Sequence, residues 1–216
     1  MNVQKLIRKY FLSIDKKHCW IIFSGSLPPN INSDFYAGLI KKIKTNHFYI
    51  KCALDTDEEP LKKGILSSPN LIKPNFYELE RFTNNKIKKF SHLSIIGENL
   101  INSGIEYILI TLGKKGAIGF SKDDVFWAKH PIVKPKSSVG CGDVFLSGFL
   151  HKISSGNSFE KSLQFAVGCG TAKVQQEGTK MPQISEVKKI LKDVSVVSCR
   201  PVPYELKKLF LLRDFE

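Results

Sequence analysis

Apolar residues fall in short continuous runs separated by longer stretches in which they recur every three or four positions, and this alternation organises the chain. Runs of strand character cover residues 20–23, 48–54, 70–73 and 107–111. They end in Ser24, in Asp55, in Lys73 to Asn75 and in Thr111 to Gly113. The spacing between them predicts helices over 34–44, 58–66, 76–81 and 86–102, the last stopped by Gly104 as a C-cap. Residues 117–121 and 125–129, on either side of a Lys-Asp-Asp turn, predict a hairpin. Further helices are expected from about Asp143, over 158–176 and over 185–194. Strands and helices that alternate in this way predict an α/β fold, a mainly parallel sheet with helices on both faces. Ligands of such sheets bind beyond the carboxyl ends of the strands, so the polar residues that close the runs mark one rim as the candidate site.

The segment SSVGCGDVFLSGFL, residues 137–150, adds chemistry to that rim. Gly140 and Gly142 let backbone N–H groups approach an anion, and the apolar run behind them reads as the buried start of a helix, whose N-terminus attracts phosphate oxygens. Asp143 stands out, because a carboxylate beside a phosphate repels it. It either caps the helix or accepts a proton from an attacking hydroxyl, and the local pattern leaves both open. Two better-known phosphate motifs fail: there is no Walker A loop, and Phe145 occupies the third glycine position of the dinucleotide fingerprint.

Composition narrows the class. The chain has 216 residues, 42% of them hydrophobic, and no apolar run of membrane-spanning length, which predicts one domain with a sizeable core and no membrane partner. Its first 18 residues are interrupted by charge throughout and do not read as a secretory signal. Five cysteines are scattered with no Cys-x-x-Cys, which suggests reduced thiols and a cytoplasmic location, and the five histidines show no zinc-site spacing. The net charge of +13 suits either nucleic acid or small acidic ligands. Lys41, Lys42 and Lys44 fall opposite an apolar face of Phe35, Leu39, Ile40 and Ile43, which predicts a solvated helix face. No nucleic-acid-binding module is recognisable, so no nucleic acid is expected as partner.

Five segments resemble, in order, the ribokinase-like PfkB carbohydrate kinases, most closely the branch of 1-phosphofructokinase, minor 6-phosphofructokinase and tagatose-6-phosphate kinase. They are FSGSLPPN from Phe23, LIKPNFYELE from Leu71, ITLGKKGAIGF from Ile110, the segment around Asp143, and FAVGCGTAKVQQEGT from Phe165. Asn30 stands where the family ends its first motif in glycine, and Cys141 stands for the alanine of Gly-Ala-Gly-Asp.

The resemblance implies ATP-dependent phosphoryl transfer to a phosphosugar hydroxyl, most directly fructose 1-phosphate to fructose 1,6-bisphosphate, with Mg2+ as cofactor. Asp143 becomes the general base and Gly140, Cys141 and Gly142 the anion hole. Cys141 reads as a small filler, with an oxidation-sensitive thiol as the alternative, since a helix N-terminus lowers a thiol pKa. ATP is expected at Lys73, Asn75, Thr111, Gly113 and Gly116, and the sugar phosphate at Gly25 and Ser26. Asn75 and Glu78, three apart, are expected to organise magnesium through water, with a helix capping box as the plain alternative. Asp55 is given no catalytic role. Family members place opening strands and a small β lid before the SGSLPP motif, so residues 1–216 are expected to form one PfkB-type domain lacking them. Such a chain would have an open sheet edge at residues 20–23, available to a second copy in a homodimer. The alternatives are a catalytically silent nucleotide-binding remnant and a basic nucleic-acid-binding domain.

Overall fold

The computed structural model describes residues 19–212. Their backbone is one seven-stranded sheet in which the strands lie in sequence order. The strands β1 (Trp20–Ser24), β2 (Lys51–Asp55), β3 (Leu71–Ile72) and β4 (Tyr107–Thr111) run parallel. The strands β5 (Ala117–Phe120), β6 (Val125–Lys129) and β7 (Ser195–Ser198) extend β4 in antiparallel fashion. The expected α/β class therefore holds, with the hairpin continuing a parallel half. No sequence signal had marked β7 as a strand.

The alternating strand residues explain the layers. Cys52, Leu54, Ile108 and Ile110 face one side, where they pack with α1 (Phe35–Asn46), α2 (Glu58–Ile65), α3 (Phe76–Thr83), α4 (Phe90–Asn102) and α8 (Tyr204–Leu212). Ala53, Leu71, Leu109, Ala117 and Ala128 face the other, under α5 (Cys141–Ser154) and α6 (Phe159–Val174). The remaining helix, α7 (Ile184–Leu191), packs on α6 through Val187, which meets Cys169 and Ala172. Small residues on the α5 and α6 side let those helices approach closely. A Cβ on Gly148 would stand 2.8 Å from the Cys169 sulfur, and one on Gly119 2.7 Å from the Phe159 ring.

Helix boundaries follow their caps. Helix α4 starts at Phe90 rather than at residue 86, because Lys86 and Ile87 are held outside it by the carboxylate of Glu80 at 3.1 and 2.7 Å. It ends as expected at Gly104, whose N–H donates to Ile101 while the next N–H reaches Leu100. On α1, Ile40 and Ile43 are buried and Lys41 and Lys42 exposed, but Lys44 departs from the solvated face. Its ammonium folds back onto the Ser68 carbonyl. Among the described residues, no helix is long and apolar enough to cross a membrane.

Candidate active site

The rim at the carboxyl ends of β1 to β4 is built by backbone stitching. Gly25 N donates to Asp55 O at 2.9 Å, Lys73 N to Leu54 O at 3.1 Å and Thr111 N to Pro74 O at 3.2 Å, so each strand end is tied to its neighbour. The Gly25 carbonyl also accepts from Thr56 Oγ1 at 2.9 Å and from the Tyr36 hydroxyl at 3.2 Å, which fixes the start of the SGSLPP loop.

The first turn of α5 rises over this rim and separates two clefts. One, of about 630 Å³, is lined by Ser24, Gly25, Ser26, Asp55, Glu78 and Asp143, with Asp57 and Glu58 at its side. The other, of about 710 Å³, is lined by Thr111, Gly113 and Gly116, by apolar side chains that include Ile132, Val133 and Val174, and by Cys141 and Gly142. Asp143 thus faces the acidic cleft, while the residues just before it face the apolar one.

Gly140, in the left-handed region at φ 73°, is the N-cap of α5, and no side chain makes a cap hydrogen bond there. Asp143 is the third residue of the helix, is exposed, and its Oδ1 accepts from Ser24 Oγ at 3.3 Å. Capping does not account for it. The Cys141 amide donates to Ser138 O at 3.2 Å. At the N-terminus of α5 the amides with no backbone acceptor are therefore those of Gly140, Gly142 and Asp143, so Asp143 takes the place of Cys141 in the expected trio. The Cys141 thiol follows the filler reading rather than the oxidation-sensitive alternative. Burial pushes its pKa up more than Lys173 pulls it down, so it is not an activated thiol, and its sulfur points back to Ser137 O at 3.5 Å.

Lys73 is buried, lines neither cleft, and forms an ion pair with Asp55 at 2.9 Å. It packs against the 140–142 turn, because a Cβ on Gly142 would stand 3.2 Å from its Nζ. Glycine is what allows this close approach. Asp55, given no role from sequence, is half of this pair and a wall of the acidic cleft. Burial raises its pKa, Lys73 pulls it back and Asp143 raises it further. The signal available was a carboxylate closing an apolar parallel strand. Ser24 was also missed, since a serine at a strand end reads as a turn former.

Asn75 and Glu78 form a complete capping box at the start of α3: Glu78 N donates to Asn75 Oδ1 at 2.8 Å, and Asn75 N donates to Glu78 Oε2 at 2.8 Å. Asn75 Nδ2 also donates to Glu78 Oε1 at 2.6 Å. The plain alternative is thus realised, and Glu78 still faces the acidic cleft with a pKa raised by burial. Among the described residues no group of three or more His, Cys, Asp or Glu could hold a metal ion directly. This donor set fits magnesium held mainly by substrate phosphates and water, with a carboxylate such as Glu78 beyond the water. The Thr111 to Gly116 segment forms a 3-10 turn at Gly113–Lys115, anchored by Trp127 Nε1 donating to Lys115 O at 2.8 Å.

A model of the pfkB family of carbohydrate kinases matches residues 15–186. The chain belongs to this family. It is 34% identical over 177 residues to the 1-phosphofructokinase of Borreliella burgdorferi, covering 82% of this chain and 56% of that protein. It is 27% identical over 172 residues to the ATP-dependent 6-phosphofructokinase isozyme 2 of Escherichia coli, covering 79% and 55%. The crystal structure of phosphofructokinase-2 from Escherichia coli with substrates and products superposes with a TM-score of 0.79 at 26% identity, over 88% of this chain and 61% of that one. This pfkB-family chain therefore spans somewhat more than half the length of the curated relatives it matches.

Proposed function

We propose that this pfkB-family chain carries a site for phosphoryl transfer from ATP to a phosphosugar hydroxyl, with fructose 1-phosphate going to fructose 1,6-bisphosphate. The observation that carries the reading is the first turn of α5 standing between two clefts, with Asp143 on one side and Cys141 and Gly142 on the other. An in-line transfer needs the attacking and leaving oxygens on opposite sides of the transferring phosphoryl group, which suits an acceptor and a donor reaching one turn from two clefts.

The nucleotide belongs in the apolar cleft, its base against Ile132, Val133 and Val174 and its phosphates towards Thr111, Gly113, Gly116 and the α5 turn. The amides of Gly140, Gly142 and Asp143, at the positive end of α5, donate to the phosphoryl oxygens as charge develops on them. Asn75 and Glu78 would hold magnesium through water, and the ion, when bound, would neutralise phosphate charge. Asp143 accepts the proton of the attacking hydroxyl, and Ser24 keeps the carboxylate turned to the acceptor side. Gly25 and Ser26 contact the acceptor.

A second reading, a nucleotide-binding domain without turnover, is favoured by one feature. The lining of the acceptor cleft includes Asp55, Asp57, Glu58, Glu78 and Asp143 and no lysine or arginine. The phosphate of an acceptor sugar must then meet cations beyond that lining, such as Lys63, which reaches Ser33 at 2.7 Å. Calorimetric titration with Mg·ATP, followed by ADP release across fructose 1-phosphate, fructose 6-phosphate, tagatose 6-phosphate and ribose, decides between them. Saturable binding with release on a phosphosugar is expected. Binding with no release leaves the second reading, and no binding at millimolar nucleotide removes both.

A further inference from the structure

One ionisable side chain is wholly enclosed and takes no part in the transfer described above. Lys173, in the last turn of α6, has no solvent exposure. Its ammonium donates to the Gly178 carbonyl at 2.7 Å and has no carboxylate partner among the described residues. A buried cation without a counter-charge is costly, and the carbonyl end of α6 offsets only part of that cost. Evolution has cheaper ways to bond one loop carbonyl.

Its surroundings suggest what the charge is for. Lys173 Cε lies 3.6 Å from where a Cβ on Gly140 would stand, and the other atom near that point is Asp143 Oδ2, at 4.0 Å. The lysine stem and the proposed base thus flank the N-cap residue of α5. The strand of chain leading into the turn is tied to the same helix end, with Lys136 N and Ser137 N donating to Val174 O at 2.8 and 3.2 Å. The field of the ammonium also reaches the turn itself. The Cys141 thiol, pushed up by burial, is pulled down by Lys173.

We propose that Lys173 is a positioning residue of the phosphate site. Its buried ammonium braces the 140–142 turn against the 174–178 segment and fixes a positive charge behind it, and the incoming phosphoryl group supplies the missing counter-charge. The inference rests on reading that turn as the phosphate site, and it names a residue that lines neither cleft.

Adenosine and Mg·ATP separate the two ideas, because adenosine uses the apolar cleft without the turn. Calorimetric titration of the full chain and of Lys173→Met, which keeps the stem and removes the charge, is the test. The variant is expected to bind adenosine within about twofold of the parent and Mg·ATP about tenfold to a hundredfold more weakly. Lys173→Arg should restore most of that loss. Unchanged Mg·ATP affinity in folded Lys173→Met overturns the proposal while leaving the site standing, and so does an equal loss for both ligands, the mark of a purely structural lysine. A parent chain that binds neither ligand overturns the site reading and this inference with it. If Lys173→Met does not fold, hydrogen exchange on the parent decides: Mg·ATP must slow exchange at 174–178 as well as at 140–143. Protection confined to 140–143 overturns the bracing role.

Discussion

Asp143 stands third in α5, so its carboxylate has no cap to make and accepts instead from the hydroxyl of Ser24. Its two conceivable roles therefore leave different traces. Asp143→Asn is expected to lower turnover by about two to four orders of magnitude, with nucleotide affinity unchanged or slightly improved, because only the base is lost. Its melting temperature should stay close to that of the parent; full turnover in Asp143→Asn removes the base assignment. Asp55 and Lys73 pose the opposite case, a pair whose side chains are only 14% and 8% exposed. Removing one partner strands the other: Asp55→Asn is expected to cost about 3–5 kcal/mol in chemical denaturation. Adding Lys73→Met to that variant should regain most of the loss, since two apolar or neutral groups are tolerated where one lone charge is not. Additive losses would show that the pair contributes little as a pair.

The elements of the rim were legible to different degrees, for reasons that lie in range of interaction. Strand β4 declared itself as an apolar run because Ile108, Leu109 and Ile110 are buried on both faces of the sheet, whereas β1 is as apolar but lies at the sheet edge with Ile22 exposed. The capping box of α3 was visible as Asn75 and Glu78 at the right spacing, because a cap is made within four residues. Asp55 with Lys73, and Lys173 with the α5 turn, were not legible, since each joins residues brought together only by the sheet or by the packing of α6 on α5. Strand β7 hides for a similar reason: its four residues are partly exposed and take their register entirely from β6. The 3-10 turn after β4 carries its own test. Gly116 has φ 86°, and a Cβ there would stand 1.9 Å from the Ala128 carbonyl oxygen. Gly116→Ala is expected to destabilise by about 2 kcal/mol or more, because both the conformation and the space are refused. A thermal or urea melt that matches the parent would show that the turn relaxes freely.

Across the molecule, the cations Lys73 and Arg81 are paired with carboxylates of the acidic cleft, Asp55 and Asp57, and do not themselves line it. Of the net charge of +13, no lysine or arginine enters the lining of the acidic cleft, whereas Lys114 and Lys115 line the apolar one, and the remaining excess favours the approach of anions. The thiols behave as core. Burial raises Cys52 and Cys169 to about 11 and Cys199 to about 12 from an ordinary 9.0. A pKa raised on folding gives stability that is whole below pH 9.0 and is lost as pH climbs through the folded values. The melting temperature should therefore hold up to about pH 9 and fall steeply towards pH 11, with these three thiols slow to alkylate at pH 8 in the native state. Rapid alkylation of all five thiols in folded protein would contradict the burial. The strand order has a consequence in time. Among the described residues each strand from β2 to β7 pairs with the one made just before it, so during synthesis each of these finds its partner already waiting. The rim formed by β1 to β4 is then laid down first, and the helix that turns it into a site arrives afterwards, onto a floor that is already set.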